Sequence, residues 1–355
     1  MAEFDPGLLA REDLKDMEPY DAYYSPGIIR MDANENPHDF PDEVKEYLFS
    51  QIGPQFFGRY PDSRAYDLVT DLAGYYGVKA EKIVVGNGSD ELILNIMLAF
   101  GVGRKVFVAS PTFSMYGIHA RVAGAHTVNV PRGADFEVDV EGMIESAGGE
   151  PGVIIICNPN NPTGNATDPR DIERIAGSVS SLVVVDEAYM EFGGESCIPL
   201  LDRYPNILVM RTFSKAFGLA GLRVGYLFAS PEVVSELKRI KQPFNVNSFS
   251  QMAARSALVF RELFMERIKS IIRDREVLES RLKSVPGVTV YPSVANFLFF
   301  SAGKPSEEVY RRLLAERVMI RFIRVPGRGD FLRVSVGTPE ENDTFIDRLL
   351  SVLAA

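Results

Sequence analysis

Cysteine and histidine are scarce in this chain, and their scarcity argues against two kinds of site. The two cysteines, Cys157 and Cys197, provide neither a disulfide framework nor the paired spacing of a zinc site. The three histidines, His38, His119 and His126, lie outside any metal-binding motif. We therefore expect a protein without a metal centre.

The chain also lacks a basic excess and a long apolar run. Its formal net charge is −10, whereas a nucleic-acid surface needs clustered basic residues. No run approaches the about 18 apolar residues that suggest a membrane span. The N-terminus, Met-Ala-Glu-Phe-Asp-Pro-Gly, is acidic and has no apolar signal core. We expect a cytoplasmic protein that binds neither nucleic acid nor membranes.

What the chain does contain is the composition of an ordinary globular protein. Hydrophobic residues make up 46% and charged residues 24% of its 355 residues, a length that suggests about two domains. Apolar residues recur at no regular spacing over residues 1–40. This pattern predicts an extended arm, which we expect to pack on the small domain and the active site. We expect a large domain over 41–250, then a long linking helix and a small α+β domain over 251–355.

Short apolar runs alternate with amphipathic stretches along the chain. This alternation predicts an α/β fold, in which a mostly parallel sheet is covered by helices on both faces. In the large domain, strands are predicted over 82–85, 105–109, 126–130, 153–157, 182–185 and 207–210, and helices over 41–52, 63–76, 89–100, 113–122 and 168–176. Beyond it, we predict one or two long helices over 244–285, strands over 297–301 and 331–336, and helices over 306–317 and 340–353. Ligands of such sheets bind at the carboxyl ends of the strands, which directs attention to the loops that follow them.

The loop after the strand over 207–210 carries an unusual lysine. Lys215 lies close to a buried strand, and lysine is seldom buried unless it is paired or takes part in chemistry. A Schiff-base lysine needs a lowered pKa, because only the neutral amine attacks a carbonyl. Thr212, Ser214 and Arg223 provide donors suited to a phosphate. The alternative is a surface turn in which Lys215 is solvated.

The turn after the strand over 82–85 is rich in glycine and precedes a predicted helix. Its sequence is Gly86-Asn87-Gly88-Ser89-Asp90. Glycines before a helix N-terminus expose backbone N–H groups that bind phosphate, although a tight turn with an N-cap also explains the pattern. The third glycine of a Rossmann fingerprint is missing, and the chain has no Walker A sequence.

Three more side chains follow strands of the same sheet. Phe113 could stack on a flat ligand, or could open a helix as a core residue. The loop over 158–164 is rich in asparagine and proline and is rigid enough to hold the Asn161 side chain in place. Asp186 ends a buried strand, where a carboxylate is costly unless it meets a cation or a donor. A surface carboxylate is the alternative for Asp186.

Together these groups match the requirements of pyridoxal 5'-phosphate. That cofactor needs a Schiff-base lysine, an acid for its pyridine nitrogen, a stacking ring, polar groups for its ring hydroxyl and a phosphate cup. Each signal is weak alone, and their placement on successive strand ends makes them strong together. Asp186 would keep the ring nitrogen protonated, and Lys215 would move a proton from the substrate Cα.

Three segments resemble those of fold-type I aminotransferases, and most closely of the histidinol-phosphate aminotransferases. They are Thr-Phe-Ser-Lys-Ala-Phe-Gly-Leu-Ala-Gly-Leu-Arg-Val-Gly-Tyr at 212–226, Asn-Asn-Pro-Thr-Gly at 160–164 and Asp-Glu-Ala-Tyr at 186–189. The similarity covers essentially the whole chain and implies the fold-type I fold, with Lys215 carrying the cofactor. The resemblance assigns the cofactor phosphate to Gly88, Ser89, Asp90, Thr212, Ser214 and Arg223, and the ring to Phe113, Asn161, Asp186 and Tyr189. The family usually has tyrosine where this chain has Phe113, so stacking is kept while any bond from a hydroxyl is lost.

The same resemblance implies contacts to the substrate and to a second subunit. Tyr60 would reach the phosphate of the cofactor in the neighbouring subunit, so the active site would require a homodimer. Arg321 and Arg333 would bind a carboxylate or phosphate of the substrate. Positions near the substrate are also implied for Tyr20, Asn34 and Asn296, each of which could instead be a polar group satisfied in a turn.

The implied activity is amino transfer from L-histidinol phosphate to 2-oxoglutarate, giving imidazole acetol phosphate and L-glutamate in histidine biosynthesis. An aromatic amino-acid aminotransferase and a decarboxylase of a phosphorylated amino acid share every cofactor residue and remain alternatives. A cofactor-binding regulatory domain is a further alternative, but it would need a DNA-binding module that this acidic chain does not suggest.

Overall fold

The computed structural model describes residues 4–19 and 26–354, which form three sheets surrounded by helices. The strands are β1 (Ile29–Arg30), β2 (Ile83–Gly86), β3 (Lys105–Ser110), β4 (His126–Pro131), β5 (Val153–Cys157), β6 (Leu182–Asp186), β7 (Ile207–Thr212), β8 (Gly225–Phe228), β9 (Thr289–Val290), β10 (Phe297–Ser301), β11 (Val318–Met319), β12 (Arg321–Val325) and β13 (Gly329–Ser335). The helices are α1 (Asp42–Ser50), α2 (Tyr66–Tyr76), α3 (Ser89–Ile96), α4 (Met115–Ala123), α5 (Val140–Ala147), α6 (Pro169–Ser178), α7 (Pro231–Ile240), α8 (Ser248–Val259), α9 (Arg261–Lys283), α10 (Ser306–Ala315) and α11 (Pro339–Ala354).

The largest sheet has seven strands in the order β2-β8-β7-β6-β5-β3-β4. It is mostly parallel, as predicted, and β8 runs antiparallel to both of its neighbours. Alternate residues of β6 face opposite sides: Val183 and Val185 pack in one core, and Val184 packs in the other. Because both faces are buried, the central strands β5 and β6 are almost entirely apolar rather than alternating. The prediction of a sheet covered on both faces is confirmed.

Most of the predicted elements are present with shifted ends. The stretch over 244–285, for which one or two long helices are predicted, forms two helices, α8 and α9, which meet at Phe260. Two helices, α5 and α7, lie where the sequence pattern predicts no element. Both begin at a side-chain cap, since Asp139 accepts from Gly142 N and Ser230 accepts from Val233 N. In the described part of the chain, no helix has the length and apolar character needed to cross a membrane.

A second, antiparallel sheet lies in the last quarter of the chain, in the order β12-β13-β10-β9. It has its own apolar core, which includes Leu298, Phe300 and Leu332. The N-terminal strand β1 pairs in parallel with β11 beside this sheet. We propose that 41–250 is the large domain, that 251–355 is the long linking helix with the small domain, and that 1–40 is an arm that packs on the small domain and the active site.

Candidate active site

A cavity of about 1050 Å³ opens at the carboxyl edge of the seven-stranded sheet. Its wall is formed by the loops that follow the parallel strands and by the β12–β13 hairpin. Most of the residues singled out from the sequence line it: Asn34, Ser89, Asp90, Phe113, Asn161, Asp186, Tyr189, Thr212, Ser214, Lys215, Arg223, Arg321 and Arg333. The parallel strands place these groups together because their carboxyl ends meet at one edge.

The amine of Lys215 lies inside this cavity. Its Nζ donates to the backbone carbonyl of Ala33 at 2.7 Å. Burial, and after it the positive charge of Arg333, lowers the pKa of Lys215 to about 8. Near neutral pH, a larger fraction of this amine is therefore neutral than in an ordinary lysine, and only the neutral amine attacks a carbonyl. A solvated Lys215 does not agree with this placement.

Asp186 is a buried carboxylate held by two donors. The Tyr116 hydroxyl donates to its Oδ2 at 2.7 Å, and the Ala188 backbone N–H donates to its Oδ1 at 3.1 Å. Burial raises the pKa of Asp186 to about 6, although both hydrogen bonds lower it. An adjacent cation would relieve this desolvation, and the carboxylate is available to one from the cavity side.

A polar cluster lies beside Asp186 around the hydroxyl of Tyr189. Asn34 Nδ2 donates to this hydroxyl at 3.0 Å, and Asn161 Nδ2 donates to it at 3.4 Å. Burial raises the pKa of Tyr189, so the phenol stays protonated. The three side chains can therefore exchange hydrogen bonds with one polar oxygen of a bound ligand.

The glycine-rich turn before α3 faces the guanidinium of Arg223. A Cβ at Gly88 would lie 2.7 Å from Arg223 Nη2, and the backbone there has a φ of +81° that favours glycine. Arg223 Nη2 donates to Asp90 Oδ2 at 2.9 Å, so the Asp90 carboxylate is paired with that cation. The backbone N–H groups at the start of α3, with Arg223 and Ser214, are the groups suited to an anion.

These groups fit pyridoxal 5'-phosphate. The turn at Gly88 leaves room for an anion only because glycine has no side chain. It also places the N-terminus of α3 next to the Arg223 guanidinium. Asp186 and Lys215 both line the same cavity, and Phe113 lies at its wall with its ring edge-on to Tyr116 at 5.5 Å. An aromatic wall, a buried acid, a partly neutral lysine and an anion cradle are the surroundings that this cofactor needs.

The opposite wall carries a cross-strand pair of arginines. Arg321 on β12 and Arg333 on β13 are register partners, so both project from neighbouring positions of the hairpin. Arg333 donates from Nη1 to Asn161 Oδ1 and from Nη2 to the Asp32 carbonyl. Around the whole cavity, arginine and lysine side chains outnumber aspartate and glutamate side chains two to one. The cavity therefore favours anionic ligands, although the chain as a whole is acidic.

The predicted residues Tyr60 and Asn296 lie outside the cavity lining. Tyr60 is 82% exposed and does not line the cavity of its own chain; its ring stacks on Phe244 with centroids 4.6 Å apart. Asn296 is fully buried, and its Nδ2 donates to the Asn34 carbonyl at 3.0 Å, so it supports the cavity wall from behind. Tyr20 lies outside the described residues.

Some groups of the site were not singled out from the sequence. Tyr116 follows Phe113 by three residues, a helical spacing that could have placed both rings on one side. The segment Asp32-Ala33-Asn34 contacts Arg333, Lys215 and Tyr189 in turn, mostly through backbone carbonyls. Backbone carbonyls leave no signal in a sequence, so Asn34 is the one residue of this segment that the resemblance identifies.

Comparison with known proteins agrees with this geometry. Residues 26–349 match the model of the family "Aminotransferase class I and II". The chain is 40% identical over 349 residues to the histidinol-phosphate aminotransferase of Caldanaerobacter subterraneus subsp. tengcongensis, with 98% of this chain and 99% of that protein covered. It is 42% identical over 353 residues to the histidinol-phosphate aminotransferase of Desulfitobacterium hafniense, with 97% of each covered.

Among solved structures, the fold is similar to that of histidinol-phosphate aminotransferase from Sinorhizobium meliloti in complex with pyridoxal-5'-phosphate. The TM-score is 0.86 at 27% identity, over 92% of this chain and 91% of that chain. The family match spans most of the sequence, and the two relatives match it almost from end to end. The chain belongs to the class I and II aminotransferase family.

Proposed function

We propose that this protein is a histidinol-phosphate aminotransferase, which transfers the amino group of L-histidinol phosphate to 2-oxoglutarate with pyridoxal 5'-phosphate. It would work as a cytoplasmic homodimer in histidine biosynthesis. The observation that carries the proposal is the pair Arg321 and Arg333 in a cationic cavity that also holds Lys215 and Asp186. The relatives of about 40% identity over nearly the full length, which bear that name, support it.

The arginine pair suits a reaction with two different amino-group partners. One partner ends in a phosphate and the other in a carboxylate, and both anions can accept paired hydrogen bonds from a guanidinium. A site that must hold either anion at the same distance from Lys215 needs fixed cations. The contacts of Arg333 to Asn161 and Asp32 keep it fixed.

The cofactor would be held by residues already described. Arg223, Ser214 and the N-terminus of α3 would bind its phosphate, Phe113 would lie against its ring, and Asp186 would pair with its nitrogen. When bound, pyridoxal phosphate supplies an electron-accepting ring that makes the substrate Cα proton acidic. Lys215 Nζ would then take the proton from the substrate Cα and give it up to the cofactor, not back to Cα, and its lowered pKa suits both transfers.

Tyr60 supports a shared active site. An exposed tyrosine that stacks on Phe244 instead of packing in its own core is presented outward. Phe49 and Phe57 are also largely exposed in this part of the chain, 60% and 82% respectively. Exposed apolar groups of this size mark a contact surface, and a second copy of the chain is the occupant that the shared-site assignment requires.

The first experiment is a half-reaction with purified holoenzyme. The protein is mixed with histidinol phosphate, phenylalanine or phosphothreonine, and the absorbance of the bound cofactor is followed as it accepts the amino group. Fast conversion with histidinol phosphate alone is expected. Lys215→Ala is the control and should abolish conversion while leaving the fold intact.

The same experiment separates the alternatives. Conversion by phenylalanine alone would instead indicate an aromatic aminotransferase. Carbon dioxide release from a phosphorylated amino acid would indicate a decarboxylase. If Lys215→Ala transferred amino groups at the wild-type rate, the assignment of the lysine would be wrong.

A further inference from the structure

The β12–β13 hairpin, which carries Arg321 and Arg333, contacts a loop of the seven-stranded sheet on the other side of the cavity. Its turn, residues 326–328, reaches the loop over 133–137 that follows β4. Arg328 Nη1 donates to the Gly133 carbonyl at 2.7 Å, and Nη2 donates to the Ala134 carbonyl. The Arg328 guanidinium also lies over the ring of Phe136, 4.2 Å from its centroid. We call Arg328 and Phe136 the clasp.

Phe136 is the other residue of the clasp. Its ring packs edge-on among the rings of Tyr291, Phe299 and Phe331, with centroids 5.2, 5.4 and 5.8 Å away, and it is 1% exposed. All three partners belong to the region of the second sheet. Phe136, from a loop of the seven-stranded sheet, therefore packs in the aromatic core on one face of the β12-β13-β10-β9 sheet.

The loop holds Phe136 in a conformation that a bulky residue rarely adopts. Its φ is +63°, in the left-handed region. The Phe136 carbonyl accepts from Arg132 Nη1 at 3.0 Å and from Asn165 Nδ2 at 2.9 Å. Arg132 in turn donates from Nε to the Ala109 carbonyl at 2.9 Å. These hydrogen bonds hold the 133–137 loop against the seven-stranded sheet. They also maintain the energetically costly backbone conformation of Phe136.

We propose that Arg328 and Phe136 are positioning residues that set the distance between the arginine pair and Lys215. This inference rests on the proposed function, because it assigns Arg321 and Arg333 to the substrate anion. Phe331 lies two residues before Arg333 on β13, so fixing that face of the hairpin fixes the arginine as well. A loosened hairpin would bind the anion less well in the reactive position while leaving the groups around Lys215 unchanged.

The test compares steady-state kinetics of holoenzyme variants. Arg328→Ala is expected to raise KM for the amino donor about fivefold while kcat changes less than twofold, since it removes an exposed cation–π contact and two hydrogen bonds. Arg328→Lys keeps a cation and should restore at least half of the loss. Phe136→Leu should raise KM by a similar factor. In the double variant KM should rise no more than in the more affected single variant, because both substitutions disrupt the same contact between the hairpin and the 133–137 loop.

Arg324→Ala is the matched control. Arg324 lies on the same hairpin, its side chain is 65% exposed, and it pairs with Asp330 at 3.2 Å and Glu307 at 3.3 Å. Its removal takes the same charge from the hairpin without touching the 133–137 loop. An equal rise of KM in Arg324→Ala, or an unchanged KM in Arg328→Ala, would overturn the proposal.

Hydrogen exchange provides a readout that does not depend on turnover. In Arg328→Ala the amides of 133–137 should exchange faster than in the wild type, while those of the 88–90 turn should not change. Equal exchange over 133–137 in both proteins would also refute the clasp. The kinetic ratios are measured with whichever donor the wild type converts, so failure of histidinol phosphate as a donor would refute the proposed function and leave this test intact.

Discussion

Asp186 should make the protein less stable when the cofactor is absent. Burial raises its pKa from 3.8 to about 6, so the folded state binds a proton more tightly than the unfolded state does. The free energy of unfolding therefore falls as the pH rises between these two values. Above about pH 6 the full cost of burying the ionised carboxylate is present. A pKa difference of this size corresponds to about 3 kcal/mol of lost unfolding free energy.

Asp186→Asn removes the charge and keeps the shape. The Tyr116 hydroxyl can turn to accept from the new amide, while the amide oxygen accepts from the Ala188 N–H, so both existing partners remain satisfied. Relative to wild-type apoprotein, the variant should gain about 2 kcal/mol of unfolding free energy between about pH 4.5 and about pH 8, because the wild type alone ionises in that range.

The assay is urea unfolding of both apoproteins at each pH and at one protein concentration. Adding pyridoxal phosphate should reverse the order at the higher pH, since a cationic ring nitrogen would pair with Asp186 and has no such partner in the variant. A stability difference that does not change with pH would refute the desolvation argument. A cofactor that stabilises both proteins equally would refute the pairing.

Three further predictions concern the other groups of the site. The rate at which apoprotein attaches pyridoxal phosphate should rise with pH and level off above about pH 8, because the pKa of Lys215 is lowered to about 8 and only the neutral amine reacts; stopped-flow absorbance measures this, and a rate independent of pH below that point would contradict it. Arg333→Lys should raise KM for the amino donor about tenfold or more, since lysine cannot replace the paired contacts of a guanidinium, and an unchanged KM would remove Arg333 from the substrate site. Tyr60→Phe should raise the dissociation constant of the cofactor about tenfold without lowering thermal stability, because the side chain is 82% exposed in one chain; equilibrium dialysis tests this, and unchanged cofactor binding would argue against a shared site.

Much of this architecture could be predicted from apolar runs and turns. The strands β5 and β6 are apolar up to Cys157 and Val185, and the polar groups of the site come next: Asn161 in the loop after β5, and Asp186 as the last residue of β6. The antiparallel direction of β8 could not be predicted, because pairing direction depends on neighbours that a single run does not specify. Helix α5 was missed because it is short and contains Gly142, which weakens a helical pattern.

The parts of the site that escaped prediction share a physical cause. The Ala33 carbonyl acts through its backbone, and Arg328 acts from a surface turn whose target lies 195 residues away along the chain. Asn296 was singled out for the substrate, but its fully buried side chain supports Asn34 instead of lining the cavity. Local patterns identify side chains at strand ends, whereas contacts between distant segments depend on the completed fold.

The segment Asp32-Ala33-Asn34 also has a consequence for how the protein is made. Asp32 is bonded to Arg333 and Asn34 to Ser335, both across 301 positions of sequence. The beginning of the chain leaves the ribosome long before these partners exist, so its segment must stay unpaired until synthesis is nearly complete. Because Ala33 lies between these two residues, we expect Lys215 to obtain its Ala33 contact late in folding, and a chain released early would lack this part of the cavity wall.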